Sequence, residues 1–540
     1  MRHFKSGRSI LFVFLLFFSG GIISAQNIAI PGISVINSKI QGLPGVQSFV
    51  IGLHNGEWLI IGGRLDGLHQ RQPFAAFLAS ENNNSIFVIN PNTGQVWSHN
   101  LLSLPTELQE QLQSTNMEFH QNGEKLLIMG GYGYSATKDE HVTYNGLIVV
   151  DLPSCIEAVK SKSSLSNSLQ FTHDNRVQIT GGQLGLLNGY YYLVGGQKFE
   201  GRYNPMGPDH GPGFIQQYSN AIRKFKIQQT KDNLSISDYT ETIDTAELHR
   251  RDYNMMPQIF PDGSKGFTVF SGVFQYKADL PWLNTIDISP NGYKVIPEFE
   301  QRFNQYHCAK TALYDPTNNI SYNIFYGGIS RFYLTQDGNL VDDLDVPFVK
   351  SISLITRDQN GNLNESSIGN MPDFLGASAE FIPDQNLSKF SDTEILTFNP
   401  NNPDSILIGY IFGGIKSSSD KVFWINTGTQ SEASNQIYKV YLHQKATSIR
   451  KLTSESLNYF KPIVYPNPAF DHFVVEFNLQ KSEMIKIDLT DLNGKLMTQK
   501  KQKCTDGLQK IEVPMTDLPD GNYIVTISNG KLKHSLKIMK

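Results

Sequence analysis

An all-β chain, with a six-bladed β-propeller followed by a small Ig-like β-sandwich, is the fold class the sequence predicts. Three observations predict it. Six times an apolar run ends in a pair of small residues: EWLIIGG to Gly63, KLLIMGG to Gly131, YYYLVGG to Gly196, GFTVFSG to Gly272, NIFYGG to Gly328 and IGYIFGG to Gly414. Repetition on this scale marks a stacked or radial array. Tight-turn pairs recur at Asn55-Gly56, Asn122-Gly123, Asn188-Gly189, Asp262-Gly263 and Asn291-Gly292, and such pairs are the strongest short-range hairpin signal. From Tyr459 onward the repeat stops and short alternating strands with their own turns take over, the pattern of a small sandwich.

The elements follow in chain order. Arg2, Lys5 and Arg8 flank an apolar core at 10–18, and Ile23-Ser24-Ala25 offers a small residue before Gln26. The core is too short to span a bilayer, so residues 1–25 read as a signal peptide. No later run has the ~18 apolar residues of a transmembrane helix. Losing the three basic residues takes the formal charge from −4 to −7, which gives no electrostatic case for nucleic acid. Cys155, Cys308 and Cys504 are an odd count with no CxxC and no adjoining His cluster. They predict neither a disulfide framework nor a metal or cofactor site.

Within each repeat a strand turns back at a tight turn, and a second strand runs into the small pair. The second strands are apolar on successive residues, so both faces must be covered, as in sheets packed face to face around an axis. Glycines at their ends permit close backbone approach and positive φ. Successive second glycines lie 68, 65, 76, 56 and 86 residues apart, more than four strands need, so the excess is expected in loops. Short helices are expected at 105–113 and 153–160, each with Pro near its first turn. Residues 30–38 precede the first unit and are placed to supply the outermost strand of the last blade, closing the ring. The propeller is assigned to 26–445, a polar linker to 446–458 and the terminal module to 459–540.

The first unit continues from Gly62-Gly63 through Ile89, Asn90-Pro91 and Thr93-Gly94 to Trp97. In that order these residues resemble the unit of kelch β-propellers, with Ile in place of the usual Tyr. The other five units keep the small pair and lose most of the rest, and WD dipeptides are absent. The terminal module carries Tyr465-Pro466-Asn467-Pro468, Asp491-Leu492-Asn493-Gly494-Lys495, Leu518-Pro519-Asp520-Gly521-Asn522-Tyr523 and the basic tail Lys537-Ile538-Met539-Lys540. It resembles the C-terminal sorting domain of the type IX (Por) secretion system of Bacteroidetes. The resemblance implies recognition by that machinery, export across the outer membrane, removal of the module, and a protein that is secreted or held on the cell surface.

Strands within a blade are antiparallel, so the start of each first strand and the loop after each second strand share one end of the ring. The loops there are long, at 64–85, 132–144, 197–220, 329–348 and 415–435, and long loops on a rigid scaffold are where binding concentrates. A pocket at this mouth is expected, with Arg64, Arg202, Arg250, Arg251, Asp252, Tyr253, Tyr306 and His307 as ligand-binding candidates. Arginines beside aromatics suit carboxylates and sugar faces. The competing expectation is that Arg and Asp at blade starts pair with neighbouring blades. Trp58, Trp97, Trp282 and Trp424 are expected in inter-blade cores rather than as sugar platforms. No catalytic set stands out: the Gly-x-Ser-x-Gly elbow and the sialidase Asp-box are absent, and no His pair joins Tyr306 and Cys308 for copper. The sequence therefore favours a non-catalytic binding protein for glycan or protein ligands. The alternative is a carbohydrate-active enzyme, of which the resemblance to six-bladed kelch propellers suggests a sialic-acid epimerase.

Overall fold

Alternation along the second strands builds the ring. In the computed structural model, Leu126 and Ile128 face one neighbouring blade, while Leu127 and Met129 face the other. The structure describes residues 28–540 except 73, 212, 402–404, 444–449, 452–461, 480, 493 and 530–532. The expected signal peptide at 1–25 and most of the linker at 446–458 lie outside the described residues.

Each of the six sheets is an antiparallel four-strand meander or an elaboration of one. Blade one is Val50–His54, Glu57–Ile61, Ser85–Asn90 and Gln95–Asn100. Blade two is Thr115–Asn122, Lys125–Ser135, Gly146–Asp151 and Leu169–His173. Blade three is Thr180–Leu187, Tyr190–Glu200, Ala221–Gln229 and Leu234–Ile243. Blade four is Asn254–Ile259, Lys265–Phe270, Thr285–Ser289 and Gly292–Ile296. Blade five is Ala309–Asp315, Ile320–Tyr326, Ser351–Arg357 and Leu363–Asn370.

Blade six joins Ala379–Pro383, Ile406–Gly413 and Ile437–His443 to Gly32–Asn37 from the other end of the chain. Val35 pairs with Val440 in that closing ladder, so the strand expected at 30–38 does close the ring.

Six apolar cores fill the six gaps between blades. Leu59 and Ile61 meet Leu126 and Ile128 between blades one and two, and Ile324 and Leu354 meet Ile411 and Val440 between blades five and six. The last gap is sealed by Trp58 of blade one against Tyr410 of blade six, ring centroids 5.3 Å apart. Helix Leu152–Ser161 packs on the first core, with Asp151 accepting from the Ser154 N–H.

The small pair proves to be the clasp between neighbours. Gly63 N–H donates to Ser114 O, Gly131 to Ile179, Gly196 to Arg250, Gly328 to Leu375 and Gly414 to Val46, at 2.8–3.0 Å. Each acceptor lies just ahead of the next blade's first strand. A Cβ on Gly130 (φ 65) would sit 2.1 Å from Ile179 O, and one on Gly327 (φ 61) 1.9 Å from Leu375 O. Only glycine brings the strands this close. The exception, Ser271, uses its hydroxyl instead, donating to Asn304 O at 2.8 Å.

The long mouth loops are more ordered than the sequence suggests. Four of the five contain a short strand pair, among them Phe332–Leu334 with Leu340–Asp342 and Ile415–Ser417 with Ser431–Ala433. The terminal module is two sheets over one core of Phe473, Ile487, Val513, Val525 and their neighbours. Its strand Leu496–Cys504 was not foreseen, because Gln499, Lys500, Lys501 and Lys503 mask an edge strand of the lysine-rich kind that resists pairing with other chains. At the opposite edge, Val341 of the blade-five hairpin pairs with Lys533. There Asp342 receives a two-pronged bond from Arg331 and lies 3.5 Å from His534.

Candidate functional site

A turn forces the site into being. Each chain segment entering a first strand must bend sharply toward the axis, and each does so at one left-handed residue: Ser48, Asn116, Gly181, Asp252, His307 and Ser378, with φ between 43° and 69°. Asn, Asp and Gly tolerate this region best. A left-handed Ser requires support, and the ring supplies it. Ser48 N–H donates to Ser378 O, Asn116 to Ser48, Asp252 to Gly181 and Ser378 to His307, at 2.7–3.2 Å. All six residues line one axial well of about 440 Å³, a volume in the range of small-molecule sites. The residue after each small pair lines it too: Arg64, Tyr132, Gln197, Val273, Ile329 and Ile415.

The well has two characters. Loops from blades one, three and six supply an aromatic wall in which His69 lies 4.9 Å from Tyr203, 5.7 Å from Phe423 and 6.0 Å from Phe77. Burial pushes the His69 pKa down to about 4, so the ring is neutral at pH 7. At the rim, Trp424 is 51% exposed, and Arg71 stacks on it at 4.6 Å.

Blades four and five supply the charged side. Arg251 pairs with Asp252 through Nη1 and donates from Nε to Tyr218 at 3.2 Å. His307 Nδ1 lies 3.7 Å from Asp252 Oδ1. Burial lowers the His307 pKa against the opposing pull of the Asp252 carboxylate. Burial also raises the Tyr306 phenol well above its ordinary value. Beside this floor, Glu118 accepts from Gly182 N–H at 2.8 Å, and burial pushes its carboxyl up to about 8.

Of the eight candidate residues, Arg64, Arg251, Asp252, Tyr306 and His307 come together around the well. Arg250 and Tyr253 turn away from it. The Arg250 guanidinium is 1% exposed and bonded to Glu247 O, Ser271 O, Asn284 O and Asn284 Oδ1, while Tyr253 donates to Val194 O of blade three at 2.5 Å. The Tyr253 hydroxyl and the Arg250 carbonyl, which accepts from Gly196 N–H, reach blade three, while the Arg250 side chain is spent on the 247–284 segment of its own blade. Arg202 is not among the wall residues; it donates to Phe74 O at 2.9 Å, on the neighbouring loop. Trp58 is core as expected, but Trp424 is not. His69, Phe77, Tyr203 and Trp424 were missed because they lie in loops without a repeat. Tyr132 and Gln197 were missed although the position after each small pair marks them.

The comparisons with known proteins bear mostly on the terminal module. Residues 463–540 match the family model of the secretion system C-terminal sorting domain. No curated protein matches the chain. A solved chain described as the structure of YjhT is 10% identical over 74% of this chain and 97% of its own, at a TM-score of 0.41. A glycoside hydrolase family 43 arabinoxylan arabinofuranohydrolase from Bacillus subtilis, solved with cellotetraose, is 11% identical over 93% of this chain and 96% of its own, at 0.28. Likenesses this distant say nothing of what the well holds. The sorting motif residues Tyr465, Pro466, Asn467, Pro468, Gly494, Gly521 and Tyr523 all fall inside the matched span. Residues 463–540 are a secretion-system C-terminal sorting domain, and the chain they close is an exported β-propeller protein of the cell surface or its surroundings.

Proposed function

We propose that this protein binds carbohydrate in its axial well, outside the cell that exports it. On this reading residues 1–25 direct the first export step and the sorting domain directs the second, through the type IX machinery. The observation that carries the reading is the well's lining. Aromatic faces at His69, Phe77, Tyr203 and Trp424 stand beside the amides of Gln47, Asn116 and Gln197 and the hydroxyls of Thr115 and Thr180. Aromatic planes take the apolar faces of sugar rings, and a few fixed polar groups set orientation. A concave well suits a small group better than a protein surface, which needs on the order of 800 Å² per partner.

A second reading, an enzyme acting on sugars, is favoured by one observation: the Asp252–His307 pair. An imidazole within 3.7 Å of a carboxylate can accept and return a proton, and both residues occupy left-handed backbone of the kind found at active sites.

A glycan array probed with the full chain separates the readings. Binding without turnover is expected, and Trp424→Ala should weaken it about tenfold by removing one stacking face. The fold should be untouched, because that ring is half in solvent. Conversion of a bound sugar, lost in His307→Ala, would favour the enzyme. No glycan binding would overturn both.

A further inference from the structure

We propose that the well selects an uncharged sugar and discriminates against sugar acids. The proposal rests on the carbohydrate reading above and begins from charge pairing. Three cationic side chains line the well, Arg64, Arg251 and Lys421, and each already holds a carboxylate of this chain. Arg64 closes a two-pronged pair on Asp66, Nε to Oδ1 at 2.7 Å and Nη2 to Oδ2 at 2.8 Å, and turns Nη1 to Leu78 O and Asn82 Oδ1. Arg251 holds Asp252. Lys421 Nζ lies 2.7 Å from Asp343 and 3.3 Å from Asp345.

Asp252, Asp279, Asp345 and Asp420 themselves stand on the wall, so carboxylates outnumber cations there before Asp66 and Asp343 are counted. The histidines do not reverse the balance. Burial keeps His69 and His307 neutral at pH 7, and the raised Glu118 carboxyl is largely protonated there.

A carboxylated ligand would therefore lose its hydration in a field that is neutral to negative. To reach a guanidinium it would have to displace a carboxylate already bonded in good geometry, leaving that group buried and unpaired. Sugar hydroxyls meet no such cost. They meet neutral polar groups on the wall, among them the side chains of Gln47, Asn116 and Gln197. Arg71 and Arg202 bond main-chain carbonyls and are not among the wall residues. Their charge is screened at ordinary ionic strength.

The test uses an array on which neutral chains are printed beside their uronic-acid- and sialic-acid-capped counterparts. The full chain should favour the neutral member of each set by about tenfold or more, with little salt dependence. Asp252→Asn is the decisive variant. Asparagine accepts φ 48° readily, keeps the size of the side chain and releases Arg251. It should move the preference toward the acidic member by about tenfold. Asp66→Asn should do the same at Arg64 and guards against a local effect of the first change. Stronger binding of acidic members by the unmodified chain, or no shift in either variant, overturns the charge argument while leaving carbohydrate binding intact. An array on which nothing binds overturns both.

Discussion

Gly130→Ala is expected to destabilise the propeller by about 3–5 kcal/mol, whereas Gly189→Ala should cost only about 1–2 kcal/mol. Both glycines have positive φ, 65° and 76°, so both variants carry the strain of a left-handed L-residue. They differ in their surroundings. A Cβ at 189 meets nothing within 4 Å, while a Cβ at 130 would sit 2.1 Å from the Ile179 carbonyl. That carbonyl is the one Gly131 N–H holds at 2.9 Å. The main chain cannot withdraw without breaking the clasp between blades two and three. Against a total stability of about 5–15 kcal/mol, the loss at 130 should show as a large fall in the urea midpoint. Equal midpoints for the two variants would mean that the small pairs do not hold the blades together.

Arg250→Ala should cost about 3–5 kcal/mol, and Arg251→Ala about 1–2 kcal/mol. The first removes a fully buried guanidinium that satisfies Glu247 O, Ser271 O and both oxygens of Asn284, and that stacks on Trp282 at 4.8 Å. Three carbonyls and an amide oxygen would lose their donor where water replaces it poorly. The second leaves Asp252 largely buried and without its cation, but on the wall of the well, where water can replace part of the lost contact. Glycan affinity should respond in the opposite order, with little change per folded molecule in Arg250→Ala and about a tenfold loss in Arg251→Ala. Chemical denaturation and glycan binding measured on both proteins check the pair. A collapse of the fold in Arg251→Ala would make that residue structural as well.

These adjacent arginines also mark where the sequence stops being legible. The six small pairs, the tight turns and the strand that closes the ring could all be read, because each depends on a local backbone demand that only a few residue types meet. The direction of a side chain at a blade start could not. Arg250 O is the acceptor for Gly196 N–H, which fixes that residue against the neighbouring blade, and its side chain turns back onto Ser271 and Asn284 of its own blade. The left-handed turns at Asp252 and at His307, each at the start of its own blade, then bring Arg251 and His307 to the well. The aromatic wall was illegible for another reason. His69, Tyr203 and Trp424 lie in loops whose only common feature is the glycine pair before them. Only the positions directly after the pair, such as Tyr132 and Gln197, could have been found from the repeat itself. The polar strand Leu496–Cys504 escaped because one face of it never enters a core.

Six blades jointly build a single well. A crystal structure of the full chain grown with the neutral glycan that binds most tightly on the array would test it most directly. The expected result is sugar density on the axis, with ring faces against His69 and Trp424. Sugar density on the outer strands or within a single blade's loops, with the well free of sugar, would contradict it.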